Sequence, residues 1–273
     1  MTSAVSSLQT THRHTAPRAY KKPPVHEVVF SLVFEQPVDE SRLDTLSLAL
    51  RSQFVHAEKL EQVQFDMKFA PSGVPAMRST SEFDGWQFKN EGPTRVVVAA
   101  RSRLNIHATR AGLWPTGEYA GWTTIYQEAM EIFGQLATAY DGAKLERAGL
   151  RYLNRIAVPV GSELEDWFTI GFNSPHILAD PYAMNLRQTW GRIEDHEDLS
   201  ASLGLAMIQI PDPILQKSHV GFLLDIEVFN LFKHKAPTFG QLREWCRRAH
   251  EAEGDIFESS ITDNSRQLFG VIP

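Results

Sequence analysis

The chain is poor in cysteine, with one residue, Cys246, in 273. An intramolecular disulfide or a cysteine-built zinc site needs more than one thiol, so both are excluded. Uncharged apolar runs of about 18 residues, the length that spans a bilayer as a helix, are absent. Met1 to Pro24 holds no apolar core of the kind a secretory leader carries. No membrane partner and a cytoplasmic location are therefore expected. A global basic excess is missing too: 27 Lys+Arg stand against 33 Asp+Glu, a formal −6 with His neutral. Contact with nucleic acid would need a local patch.

Local catalytic signatures are equally scarce. The sequence contains no G-x-x-x-x-G-K-[ST] phosphate loop, no G-x-G-x-x-G dinucleotide turn and no G-x-S-x-G elbow. His26–Glu27, His196–Glu197 and His250–Glu251 each lack the second His of a zinc-binding H-E-x-x-H. No cofactor is implied, and the balance leans away from an enzyme.

What is present suits a packed core. Apolar residues make up 42%, including 16 Phe, 6 Trp and 6 Tyr. Residues 1–24 read as a disordered basic tail, with Arg13, Arg18, Lys21 and Lys22 and no acidic side chain. The tail is either a basic arm that grips phosphate or a partner, or an ordinary loose terminus. Without it the remaining chain carries −10, from 23 basic and 33 acidic side chains.

Val25 to Glu35 sets Val28, Phe30, Leu32 and Phe34 against Glu27, Ser31 and Glu35, the alternation of a half-buried strand. A helix follows on Leu43, Leu46, Leu50 and Phe54, and strands follow at 63–69, 86–88 and 94–109. Thr124-x-x-Gln127 reads as a capping box opening a second helix, and 143–158 as a long strand. A short helix is expected over 164–170. Three more strands are expected at 184–193, 202–210 and 219–231. Thr238-x-x-Gln241 is a second capping box before a final helix, with a bend or break near Gly254. Strands in runs argue for an α+β fold rather than a doubly wound sheet. The expectation is two mostly antiparallel sheet-plus-helix halves, 25–160 and 161–273, packed as one compact unit.

Strand alternation places Arg147, Arg151 and Arg155 on one face, and Asp225 and Glu227 on the polar face of a later strand. If the two faces meet, they form a cross-strand charge ladder. That ladder reads either as a solvated face tied by ion pairs of about 0–1 kcal/mol each, or as a groove whose arginines fork onto carboxylate or phosphate. Asp212, Asp225 and Glu227 also admit a metal-dependent nuclease or phosphodiesterase. Two carboxylates would hold the divalent ion, although Glu227 stands where such a core places a lysine. Glu194 to Asp198 is an acidic turn, read as a solvated hairpin tip or as a hard-cation or basic-partner contact. Trp114 sits in a loop where an aromatic ring either plugs the core edge or anchors an interface. Cys246 reads as a buried, inert thiol.

Tyr20 to Val29 (Y-K-K-P-P-V-H-E-V-V) and Arg147 to Asn154 (R-A-G-L-R-Y-L-N), with Phe257, Ile261–Thr262, Arg266 and Phe269, resemble an uncharacterised bacterial protein family described as "sporadically distributed". The resemblance covers the chain from about residue 20. It implies a partner-binding role linked to defence or to toxin–antitoxin pairs, and it assigns no active-site residues. The resulting expectation is a non-enzymatic binding module acting through a protein partner or self-association, for instance as a homodimer. It would use Arg147, Arg151, Arg155, Asp225, Glu227 and Trp114. The alternatives are the nuclease above and nucleic-acid binding without catalysis, through the arginine face or the tail.

Overall fold

The computed structural model describes residues 19–69, 75–92, 94–112, 117–137, 139–171 and 184–272. The opening alternation becomes β1 (Val25–Phe34). The first apolar stripe becomes α1 (Glu40–Leu50), with Leu43, Leu46 and Leu50 buried. β2 (His56–Phe69) and β3 (Pro75–Lys89) are longer than the alternation marks out. β2 lies at the sheet edge, where a strand with one neighbour tolerates the exposed charges of Glu58, Lys59 and Glu61. β4 (Arg95–Ala100) and β5 (Arg103–Thr109) divide what reads as one strand.

α2 (Trp122–Leu136) starts three residues earlier than the Thr124 box places it. Its N-cap is Gly121, and Thr124 falls inside the first turn, so no side chain caps the helix. β6 (Leu145–Pro159) buries alternate residues along most of its length. The helix expected at 164–170 is only a 3₁₀ turn, Leu164–Asp166. The chain then forms β7 (Asn185–Trp190), β8 (Ser200–Ile208), α3 (Pro213–Gln216), β9 (His219–Lys235), α4 (Phe239–Ser260) and α5 (Asp263–Phe269). The Thr238 box forms as expected: Thr238 Oγ1 accepts from Gln241 N–H at 3.3 Å, and Gln241 Oε1 accepts from Thr238 N–H at 2.8 Å. α4 does not break at Gly254. Ala252 and Phe257 are buried on either side, and their packing outweighs a glycine penalty of about 1 kcal/mol.

The fold is α+β, with nine strands in one antiparallel sheet of order β2-β3-β4-β5-β1-β6-β9-β8-β7. The two expected halves therefore share one continuous sheet. In each, the first strand pairs with the last strand of the meander that follows, and a long helix closes the unit: β1 with β5 before α2, β6 with β9 before α4. By this scheme β6 opens the second unit. The units meet through β1 and β6, paired from Val25↔Asn154 to Phe34↔Leu145, which gives the sheet a pseudo-two-fold axis.

α1, α2 and α4 pack on one face of the sheet, over Val28, Phe30, Leu32, Leu150, Tyr152 and Val228. Phe257 and Phe269 extend that layer over Ile156, Leu205, Leu224 and Ile226. No helix among the described residues is long and apolar enough to cross a membrane. At Gly85 a Cβ would lie 2.2 Å from Ala99 O and 2.6 Å from Ala100 Cα, so the bulge in the β2–β3 register at that point accepts only glycine.

The reading of 1–24 as disordered fails for its described part. Residues 19–22 lie against the other end of the chain: Ile272 N–H donates to Ala19 O, Lys21 N–H to Gly270 O and Lys22 N–H to Phe269 O. The physical reason is Tyr20. Its ring stands edge-on to Phe257 and Phe269 at 6.2 and 5.6 Å, an anchor that an average over a polar segment hides. Residues 1–18 lie outside the described residues.

Candidate functional site

The side chains opposite the helices form the charge ladder anticipated from alternation. Across β6 and β9, Arg151 faces Glu227 and Leu153 faces Asp225. Arg151 nevertheless reaches diagonally to Asp225, Nε to Oδ1 at 2.7 Å and Nη2 to Oδ2 at 2.6 Å. Arg187 of β7 donates to the same Asp225 Oδ2 and, at 3.3 Å, to Ser202 Oγ. Asp225 is thus a nearly buried carboxylate, its side chain 4% exposed, holding two arginines that are 39% and 49% exposed. The Asp225 carboxylate holds the Arg151 guanidinium above its ordinary value.

Arg147 Nη1 lies 2.8 Å from Glu227 Oε1, and its guanidinium sits 4.2 Å above the Phe229 ring. That reach crosses Gly149, where a Cβ would meet Glu227 Oε1 at 2.7 Å and Arg147 Nη1 at 2.9 Å. His107 of β5 pairs with Glu27 of β1 at 2.8 Å, and this hydrogen bond holds the Glu27 carboxyl below its usual range. Arg155 shares the face, and burial lowers its proton affinity. The face thus carries Arg147, Arg151, Arg155 and Arg187 beside Glu27, Asp225 and Glu227. Beside them Leu231 is 51% exposed.

The other sequence candidates are dispersed. Asp212 caps α3, accepting from the N–H groups of Ile214 and Leu215. Asp225 lies four positions along β9 from Gly221, where β8 ends, about 13 Å away. Asp212 and Asp225 are committed to different partners, a helix cap and two arginines. Among the described residues no group of three His, Cys, Asp or Glu could hold a metal ion. In the acidic turn, Asp198 accepts from Arg248 of α4, which lowers its proton affinity and ties the hairpin to the helix layer. Cys246 is buried, and burial pushes its thiol up. Trp114 lies outside the described residues.

A second constellation was not legible in the sequence. Beyond Val25, β6 continues towards Pro159 without β1 beside it, and residues 20–24 cross the opening. A cavity of about 1200 Å³ lies there, walled by that segment, by the 117–122 stretch, by β6 and by α4. Inside it Tyr152 Oη and His250 Nδ1 are 2.9 Å apart, and Trp122 stacks on the His250 ring at 3.9 Å with an 18° tilt. Burial brings His250 down to about 4 and pushes the Tyr119 and Tyr152 hydroxyls up. Glu258 is satisfied by Tyr20 Oη at 2.6 Å and Arg266 Nε at 3.0 Å.

Glu253 is different. It is 5% exposed, lines the cavity, and makes no hydrogen bond or ion pair with any described residue. Burial alone pushes it up to about 8. The available signal was a carboxylate on the stripe Cys246, Ala249 and Phe257, where an apolar residue belongs. No protein-family model matches the chain, and no curated protein matches it.

Proposed function

We propose that the protein is a cytoplasmic, non-catalytic binding module that engages an acidic protein partner through the sheet face opposite the helices. The observation that carries this reading is the Asp225 clamp. A buried carboxylate fixes Arg151 and Arg187 in place while leaving their outer edges in water, so little side-chain entropy is lost on binding. Arg147 over Phe229 and the exposed Leu231 supply the arginine and apolar surface that interface centres favour. The outward edges of Arg151 and Arg187 favour a partner that supplies carboxylates. The nuclease alternative has less support, because Asp212 is committed to a helix cap and Asp225 to two arginines. A role linked to defence or to toxin–antitoxin pairs is a proposal resting on the motif resemblance.

The test is affinity capture from the native host with the wild-type chain and with Leu231→Glu/Arg187→Gln. The wild type should retain one partner at near-stoichiometric level, the variant should lose it with its melting temperature little changed, and salt should weaken retention. Equal retention by the variant, or no stoichiometric partner, overturns the reading. Capture of nucleic acid alone, with a steep salt slope, would transfer the face to nucleic-acid binding.

A further inference from the structure

From the cavity under residues 20–24 we infer a second site, independent of the sheet face. It binds a small organic cation, a protonated amine on an apolar body, with Glu253 as its counter-ion. Three observations converge. The first is a cleft of about 1200 Å³ that opens to solvent, ample for a small molecule.

The second is a carboxyl inside that volume to which the protein supplies no partner. A carboxyl that lines the cleft and accepts from no donor among the described residues is open to a donor carried by a ligand. The third is the character of the walls. Trp122, Tyr152 and Tyr119 present aromatic surface, and His250 is tied to Tyr152 and covered by Trp122. The carboxyl supplies the charge, and the aromatic walls supply apolar surface for the body that carries the ammonium.

The protein's own cations do not fill this role. Arg110 Nη2 is committed to Pro23 O at 2.6 Å, and Arg266 to Glu258. Arg155, Lys21 and His219 also border the cavity, yet no cation is hydrogen-bonded or ion-paired to Glu253. With no ligand, Glu253 holds its proton at neutral pH, since burial has raised it to about 8. An incoming ammonium converts it to carboxylate, and the proton leaves to solvent. Tyr119 and Tyr152, pushed up by burial, and His250, at about 4, keep their neutral forms through this range.

Gly254 provides a way to close the site without removing its charge. It lines the cavity, and a Cβ there would meet nothing within 4 Å. Replacing it should favour the helix while filling the space.

The experiment is calorimetric titration of the full chain with 2-phenylethylammonium, with neutral 2-phenylethanol and anionic phenylacetate as comparators. The ammonium should bind at least about tenfold more tightly than either comparator. Affinity should rise up to about tenfold per pH unit towards pH 8, then level off, with close to one proton released per ammonium bound at neutral pH. Glu253→Gln should abolish both the preference and the proton release. Gly254→Leu should abolish binding while raising or preserving thermal stability, and should leave partner capture by the sheet face intact. The inference is overturned if phenylacetate or the alcohol binds as well as the ammonium, if Glu253→Gln binds it unchanged, if no proton is released, or if the wild type binds none of the three.

Discussion

Arg151 passes over the residue directly opposite it, Glu227, and closes both arms on Asp225, two positions away on the neighbouring strand. The choice leaves Glu227 to Arg147 and lets Arg187 reach Asp225 from the far side. One nearly buried carboxylate thus fastens β6, β9 and β7 together.

Asp225→Ala should therefore destabilise the chain by about 2 kcal/mol. That is below the 3–5 kcal/mol for breaking a fully buried pair, because both arginines can turn back to water. Arg187→Gln should cost less than about 1 kcal/mol, since Arg151 continues to satisfy the carboxylate. Urea denaturation of the two variants checks the ordering, and equal effects would contradict a clamp centred on Asp225.

Two glycines on the sheet should respond unequally to the same substitution. At Gly85 an added Cβ meets fixed backbone of β4, so Gly85→Ala should cost about 2 kcal/mol or more. At Gly149 it meets only the ends of two flexible side chains, Glu227 and Arg147. Gly149→Ala should stay within about 1 kcal/mol of wild type, with the ion pair displaced. Thermal unfolding of the pair decides this.

Stability should peak on the acid side of neutrality. Glu253 rises from 4.5 to about 8 on folding, so its contribution is whole below pH 4.5 and is lost as pH climbs through 8. His250 falls from 6.5 to about 4, so its contribution is whole above pH 6.5 and is lost as pH drops through 4. Between 4.5 and 6.5 the two slopes cancel, giving a plateau. From 6.5 to 8 Glu253 acts alone, and stability should fall by about 1.4 kcal/mol per pH unit. Glu253→Gln should remove that decline and leave the acid limb in place. Denaturation midpoints across pH 4–9 test the profile.

The two Thr-x-x-Gln motifs should behave differently despite identical spacing. Thr238→Ala removes a formed reciprocal cap from α4 and should cost about 1 kcal/mol. Thr124→Ala removes no cap and should change stability by less than about 0.5 kcal/mol. Paired melting curves distinguish the cases.

The pairing of arginines with carboxylates was legible because each set lies on a single strand, where alternation fixes the face without reference to the rest of the fold. Thr238 was legible for the same local reason. Thr124 misled because packing of Trp122 over Phe30 and His250 draws the helix start back three residues, with Gly121 in place of Thr124 as N-cap, a tertiary influence absent from the motif. The shared sheet depends on the β1–β6 pairing, between strands more than a hundred residues apart. The cavity was hidden most completely: Tyr20, Tyr119, Tyr152 and Glu253 come from four separate stretches of the chain. Only Glu253, a carboxylate on an otherwise apolar helix stripe, left a mark in the sequence.

Residues 19–22 are bonded to residues 269–272, so the cavity wall that Tyr20 supports is fastened by contacts spanning nearly all of the described chain. During synthesis that wall must wait for Phe269 and Gly270 to emerge, long after the sheet strands beneath it. That side of the cavity is consequently completed last, by contacts between the two sequence-distant ends of the described chain.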